Sequence, residues 1–193
     1  MSDRSEPHLK EATDALLRGD YASAKNLFET LAAEGSKGAL LGLAAIYERG
    51  GNGVPKDFIK ARYWYDRALT DAKSVVAALK LGNFYFHGLG VPVDYHKAYY
   101  YYSKLRNTQE PVALLRLGIL YETGRGVEKN IDTARDFYRR ATRLGNIFAL
   151  KNWGALEVKY RNRLLGILLW TYARLLGIPL AFINPEHEKL RTY

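Results

Sequence analysis

The fold of this chain is decided by residues 78–105, which read ALKLGNFYFHGLGVPVDYHKAYYYYSKL. Apolar residues recur at helical spacing on both sides of a turn marked by Gly88 and Gly90. This pattern predicts two helices joined as a hairpin, with an unbroken run of four tyrosines at 99–102 in the second helix.

The same hairpin design occurs twice more in the chain. The segments 43–47 (LAAIY) and 117–121 (LGILY) match 81–85 (LGNFY), and each is followed by a glycine-rich turn. One alanine of each second helix recurs at spacings of 37 and 36 residues: Ala61, Ala98 and Ala134. A two-helix unit repeated at this period predicts an all-α fold, an α-solenoid of helix-turn-helix repeats.

Glycines and short polar residues define the ends of the predicted helices. Glycine readily adopts the left-handed conformation in which many helices stop. Six glycines stand in the three turns: Gly50, Gly53, Gly88, Gly90, Gly124 and Gly126. One short polar residue precedes each second helix: Asp57, Asp94 and Asn130. Each of these is expected to accept a hydrogen bond from an N–H group at the helix start.

Two glycines lie inside predicted helices, where glycine costs roughly 1 kcal/mol of helix stability relative to alanine. Because Gly82 and Gly118 occupy equivalent positions, they predict a close crossing of two helices, with Ala44 in the same role in the first repeat. The second helices carry aromatic pairs at 64–65, 101–102 and 137–138. At least one residue of each pair is expected to be buried, and base stacking or carbohydrate binding is the alternative.

The combined motifs resemble a known family. Ala-x-x-x-Leu-Gly-x-x-Tyr, Gly-x-Gly-Val-x-x-Asp, Lys-Ala and Trp-Tyr-x-x-Ala are similar to the Sel1-like repeat, a relative of the tetratricopeptide repeat. The fullest matches are 78–105 and 113–141, with 39–68 close behind. Ala44, Leu105 and Asn130 depart from the pattern. The resemblance implies adaptor roles in multiprotein complexes.

The sequence predicts four segments. They are a polar N-terminal segment (1–8), a tetratricopeptide-like hairpin (9–35), Sel1-like repeats over 39–156 (39–75, 76–110, 111–145 and a partial unit 146–156), and a basic, hydrophobic C-terminal segment (157–193) that caps the array or associates with a membrane.

A partner-binding groove is implied by the tetratricopeptide resemblance, in which the first helix of each hairpin lines the concave face. The positions aimed at this groove are Lys37, Leu41, Glu48, Arg49, Leu79, Asn83, Phe86, His87, Leu115, Ile119 and Glu122. Such a groove is expected to bind a peptide or helix of a partner protein, or the chain's own tail. The alternative, that several of these residues are ordinary core, stays open.

A basic surface is predicted before the apolar C-terminal stretch. The chain carries a net charge of +9, and the basic surface is formed by Arg139, Arg140, Arg143, Lys159, Arg161 and Arg163. Anionic lipid and an acidic protein would both respond to this charge. Binding of nucleic acid or anionic lipid through 135–163 is kept as an alternative rather than as the expected function, and a solvated basic face without a ligand stays open.

The apolar stretch 164–183 is about as long as a membrane span. Arg174 lies in its middle and costs about 2.5–3.5 kcal/mol on insertion scales, which roughly cancels the gain from the leucines, isoleucines and phenylalanine. Three interpretations therefore stay open for this hydrophobic C-terminal helix: a docked cap, an interfacial helix and a membrane span. An anionic membrane that binds 159–183 is an alternative partner, and homo-oligomerisation through this helix is a further alternative.

Residues for catalysis or metal binding are not assembled in the sequence. The chain has no cysteine, its four histidines are scattered, and no metal-binding or phosphate-loop motif stands in the right context. We therefore expect no enzymatic activity, no metal and no cofactor. The polar N-terminus lacks the apolar run of a secretory signal. The expected protein is a cytoplasmic binding scaffold, alternatively attached to the cytoplasmic face of a membrane.

Overall fold

A computed structural model describes residues 5–160 and 162–176. Within these ranges the protein is helical and contains no β-strand, which confirms the predicted fold class. The helices are α1 (Ser5–Leu17), α2 (Tyr21–Ala33), α3 (Lys37–Arg49), α4 (Phe58–Ala72), α5 (Val75–His87), α6 (Tyr95–Ser103), α7 (Pro111–Thr123), α8 (Ile131–Arg143), α9 (Ile147–Tyr160) and α10 (Arg163–Leu175). Consecutive helices pack as five hairpins, from α1 with α2 to α9 with α10.

The two ends of the array differ from the sequence prediction. Helix α1 begins at Ser5, inside the segment 1–8 that the sequence assigns to a polar terminus. At the other end, the predicted partial unit 146–156 is a complete hairpin, because α9 continues to Tyr160 and α10 packs against it. Residues 177–183 of the predicted apolar stretch lie outside the described residues.

The chain divides between Lys104 and Leu105 into two compact units. In the first, α1–α6, small residues lie where helices approach each other, and Ala24, Ala61 and Ala77 are fully buried. Large apolar side chains fill the remaining core, with Phe28 and Phe84 among the most buried. In the second unit, α7–α10, the core residues are Leu114, Leu117, Leu120, Phe137, Tyr138, Leu150 and Leu156.

The turns share two features in each of the three repeats: a glycine that ends the first helix and a polar side chain that caps the second. Gly50, Gly88 and Gly124 have φ angles of 66°, 71° and 70°, so each ends its helix in a conformation that side chains with a Cβ disfavour. The residues that cap the second helices accept a hydrogen bond at 2.9 Å from the N–H three residues later: Asp57 from Lys60, Asp94 from Lys97 and Asn130 from Thr133.

The capping residues also hold the preceding helix. Their own N–H groups donate to the carbonyls of Tyr47, Tyr85 and Tyr121. The first turn contains one extra residue, which is accommodated by paired hydrogen bonds between Gly51 and Val54 without loss of this closure. The capping residue therefore binds both helices of its hairpin: the second helix through its side chain and the first helix through its own N–H group. These two hydrogen bonds explain why the capping residue recurs at a similar distance from the repeat tyrosine.

The pH dependence of one cap can be predicted. The hydrogen bond from the Lys97 N–H lowers the pKa of Asp94 below its usual value. A depressed carboxyl pKa contributes stability that is present above the ordinary pKa of about 3.9 and is lost as the pH falls through the lower folded pKa. The Asp94→Asn variant keeps a capping oxygen but does not titrate. Its melting temperature is expected to fall less than that of the parent chain between about pH 6 and about pH 2. Equal falls in the two proteins would contradict the prediction.

The internal glycines mark the close crossings that the sequence predicts. A Cβ atom added at Gly82 would lie 2.4 Å from Cε1 of Tyr102, and one added at Gly118 would lie 2.5 Å from Cε1 of Tyr138. Each glycine thus provides the space for the tyrosine ring of its own hairpin. At least one member of each aromatic pair is buried, as predicted: Tyr65, Tyr102 and Tyr138 are at most 2% exposed, and Phe137 is buried as well.

Candidate partner-binding surface

The buried tyrosine of each second helix donates its hydroxyl to a polar side chain of the first helix in the same hairpin. The pairs are Tyr65 with Glu48 Oε2 at 2.5 Å, Tyr102 with Asn83 Oδ1 at 2.7 Å and Tyr138 with Glu122 Oε2 at 2.6 Å. A buried phenol needs such a partner, because an unsatisfied polar group in a core is costly. All three acceptors belong to the predicted groove and are half-buried. Their orientation is therefore set by the core behind them.

The position of the acceptor changes in the second repeat. Glu48 and Glu122 directly follow the repeat residues Tyr47 and Tyr121. The equivalent position holds Phe86, which cannot accept a hydrogen bond, and the hydroxyl of Tyr102 turns to Asn83, three residues earlier. Phe86 is buried and its ring packs near that of Tyr102, with centroids 6.3 Å apart. Phe86, a predicted groove residue, thus packs in the core, and Asn83 accepts the hydrogen bond of the tyrosine in its place.

An ion pair joins the first helices of two successive repeats. Lys80 Nζ on α5 lies 2.8 and 2.9 Å from the two carboxylate oxygens of Glu48 on α3. Burial, together with the hydrogen bond to Glu48, raises the pKa of Tyr65 far above its usual value, so the phenol remains a donor. Glu48 therefore receives hydrogen bonds from two helices, and its ion pair with Lys80 joins α3 to α5.

The remaining predicted groove residues differ in accessibility. Lys37, Arg49 and His87 are exposed. Leu41, Leu79 and Ile119 are half-buried, whereas Leu115 is buried like Phe86. The accessible part of the predicted set in the first unit is thus a mixture of cationic, polar and aliphatic side chains.

The predicted basic surface is only partly available for binding. Arg139, Arg143, Lys159 and Arg163 are exposed. Arg140 is half-buried, donates to the carbonyl of Arg106 and lies 3.8 Å from a carboxylate oxygen of Asp136. Arg161 lies outside the described residues.

A buried ion pair in the second unit was not predicted from the sequence. Glu157 is 2% exposed; its Oε1 accepts hydrogen bonds from Nε of Arg135 at 2.5 Å and from the indole N–H of Trp153 at 3.0 Å. Glu157 stands where the other repeats have a tyrosine, and in the first unit the equivalent contact joins Arg62 to the hydroxyl of Tyr85 at 3.4 Å. The sequence does indicate that Arg62 and Arg135 are equivalent, because each directly follows the repeat alanine of its hairpin, and this equivalence could have pointed to the contact with Glu157.

Two further properties concern membranes and metals. In the described part of the chain, no helix combines the length and apolar character that a bilayer crossing requires. Across residues 5–160 and 162–176, no group of histidine, aspartate and glutamate side chains is arranged to hold a metal ion.

Solved structures similar to this protein share its fold. A protective antigen from uropathogenic Escherichia coli strains, which displays an SLR fold, superimposes with a TM-score of 0.83 at 24% identity over 97% of this chain. The present chain spans 42% of the length of that antigen. A Sel1 repeat protein from Oxalobacter formigenes matches with a TM-score of 0.77 at 26% identity, over 95% of this chain and 76% of its own. PilF of Pseudomonas aeruginosa matches with a TM-score of 0.68 at 17% identity, and the match covers 92% of this chain and 78% of the PilF chain.

The sequence itself matches the family model of the Sel1 repeat in three places. The residues that match the family model are 38–70, 75–105 and 111–146, which together make up just over half of the chain. No curated protein matches the chain significantly. The matched segments are the three hairpins with the glycine-ended and capped turns described above, and they form a tetratricopeptide-like, all-helical solenoid fold. The protein belongs to the Sel1 repeat family, a family of generally non-enzymatic interaction scaffolds.

Proposed function

We propose that this Sel1 repeat chain is a non-catalytic scaffold that binds an extended or helical segment of a partner protein along the first helices of its repeats. The surface that best fits this role is the α3–α5 face, formed by Lys37, Leu41, Glu48, Arg49, Val76, Leu79, Lys80, Asn83 and His87. All of these residues lie in one compact unit.

The observation that carries the proposal is the Glu48–Lys80 ion pair with its supporting tyrosines. It aligns the exposed edges of two successive first helices, while Tyr65 and Tyr102 hold Glu48 and Asn83 in place from within the core. Side chains that are already immobilised lose little rotamer entropy when a ligand binds. A row of oriented polar groups of this kind is suited to recognising the backbone or side chains of an ordered segment.

The chemistry of this face indicates what the segment contains. Leu41 and Leu79 are half-buried and Val76 is 50% exposed, which provides apolar contacts. Lys37 and Arg49 are exposed cations at the two ends of α3. We therefore expect a ligand with apolar residues on one side and acidic residues near its ends, because complementary charge steers and orients association.

The proposal is tested by selecting random peptides of about 12 residues on the immobilised full chain by display methods, and then measuring the affinity of the selected peptides for charge-reversed variants. The Lys37→Glu, Arg49→Glu double variant is expected to weaken binding at least about tenfold, which corresponds to about 1.4 kcal/mol. Both positions are exposed, so the fold should be retained, and circular dichroism verifies this.

The matched control is Lys10→Glu, Arg18→Glu, which makes the same charge change at exposed positions outside the α3–α5 face. Its affinity for the selected peptides is expected to equal that of the parent chain. If both double variants weaken binding equally, the effect is one of net charge, and the α3–α5 face is not the binding site.

A further inference from the structure

Helix α10 has two faces of opposite character. Its inner face carries Gly166 and Ala173, which are buried against α9. The two helices approach closely, because a Cβ added at Gly166 would lie 2.5 Å from the backbone N of Val158 and 2.7 Å from the carbonyl oxygen of Gly154. The helix is therefore fixed in its rotation about its own axis, and this rotation determines which side chains point outward.

The outward face is formed by large aliphatic side chains. Leu164, Leu168 and Leu175 lie on one stripe of the helix and are 77%, 65% and 84% exposed. Further exposed apolar side chains border the stripe: Leu165, Ile167, Tyr172 and Leu176. At about 100° per residue, this arc extends over about half of the circumference of the helix. It includes one polar residue, the exposed Thr171, whose hydroxyl donates to the carbonyl of Leu168. A contiguous exposed patch of this kind marks an interaction site.

A cavity opens beside the leucine stripe. It has a volume of about 320 Å³ and is lined by Ala155 and Val158 of α9 and by Ile167 and Trp170 of α10. Arg163 and Arg174 share the helical stripe of Ile167 and Trp170 and stand at its two ends, both exposed. The site thus combines an apolar slot with guanidinium groups that can bind phosphate oxygens.

The charge of this region has one sign. From residue 158 to residue 176 the sequence contains four basic residues, Lys159, Arg161, Arg163 and Arg174, and no aspartate or glutamate. Its natural complement is a surface with negative charge above an apolar layer, which describes the headgroup region of a bilayer that contains anionic phospholipids.

We propose that α10 lies in the plane of an anionic phospholipid surface, with Leu164, Leu168 and Leu175 inserted among the acyl chains and with Arg163 and Arg174 bound to lipid phosphates. A second copy of the chain fits less well. Antiparallel pairing of two α10 helices would bring Arg163 of one copy near Arg174 of the other, and a single partner helix would cover only part of the apolar arc. This proposal goes beyond the scaffold function and does not depend on the α3–α5 face.

The test is co-sedimentation of the full chain with phosphatidylcholine vesicles that contain or lack phosphatidylglycerol. We expect binding to the anionic vesicles and at least tenfold weaker binding to the neutral ones. The Leu164→Ser, Leu168→Ser, Leu175→Ser variant is expected to reduce binding to anionic vesicles at least tenfold. The Arg163→Gln, Arg174→Gln variant should lower the affinity for anionic vesicles toward that for neutral ones. The matched control, Leu17→Ser, Ile59→Ser, Val93→Ser, also replaces three exposed apolar residues and should bind as the parent chain does.

Three results would overturn the proposal. The first is equal binding of the parent chain to both kinds of vesicle, or undiminished binding of the leucine variant. The second is a dimer in sedimentation equilibrium that the leucine changes convert to a monomer, without vesicle binding by either protein; this would assign the face to a second copy. The third is retardation of an RNA oligonucleotide at low salt that the arginine changes abolish, again without vesicle binding, which would assign the basic residues to nucleic acid.

Discussion

Replacing Glu157 with alanine is expected to destabilise the unit formed by α7–α10 by about 3–5 kcal/mol. Glu157 is 2% exposed and the Arg135 side chain is 11% exposed, so the variant leaves a nearly buried guanidinium with only the exposed carboxylate of Asp132 as its counter-charge. Trp153 also loses the acceptor of its indole N–H. Urea denaturation followed by circular dichroism measures the change.

A double-mutant cycle separates the value of the ion pair from the cost of breaking it. Arg135→Met alone is expected to be strongly destabilising as well, because it leaves the carboxylate buried. The double variant Arg135→Met, Glu157→Leu should recover most of the loss, since apolar residues of similar volume often replace a buried ion pair without net cost. Glu128→Ala, at an exposed glutamate of the same unit, serves as the control and should change stability by less than about 0.5 kcal/mol. A loss of less than about 1 kcal/mol in Glu157→Ala would contradict the burial of the pair.

Replacing Gly82 with alanine is expected to destabilise the α1–α6 unit by about 1–3 kcal/mol, although alanine is the better helix former. The new Cβ would lie 2.4 Å from Cε1 of Tyr102, and that ring is fully buried and held by Asn83. Neither the ring nor the helix can move without disturbing the core. The change in the urea midpoint between the parent chain and the variant tests this expectation.

Two comparisons establish the cause of that loss. Gly38→Ala is the control, because a Cβ there would meet only the flexible side chain of Leu9, with Cδ2 nearest at 2.9 Å; we expect it to be neutral or slightly stabilising. Tyr102→Leu removes the ring atoms that collide, so it should cost less stability in the Gly82→Ala background than in the parent chain. Additive effects of the two changes would show that the glycine does not accommodate the ring.

The helices that carry the candidate surface were predictable from the sequence, whereas the contacts of its side chains were not. Sequence periodicity and the family resemblance placed Glu48, Asn83 and Glu122 on the first helices, and the structure adds the tyrosine hydroxyls that orient them. The change of acceptor from the glutamate position to Asn83 depends on Phe86, whose ring takes the place of a carboxylate. The consequence of a phenylalanine at this position becomes clear only when the side chain opposite to it, Tyr102, is known.

The sequence by itself determined what depends on local interactions. The helix ends follow from glycines in the left-handed conformation, and the capping residues Asp57, Asp94 and Asn130 act on N–H groups three residues away. Because these interactions repeat at a fixed period, the all-helical repeat fold could be predicted from one chain.

The tertiary structure alone decided the contacts between residues that are distant in sequence. Glu157 marks the end of the repeat pattern in the sequence, but in the fold it is the buried partner of Arg135, 22 residues earlier. The stretch 164–183 allowed three interpretations, because its apolar residues cover most of a helical wheel. The close approach of Gly154 and Gly166 sets the rotation of α10 and leaves Leu164, Leu168 and Leu175 exposed. Hydrophobicity is a property of the residues, whereas the face that remains exposed depends on how the helices pack.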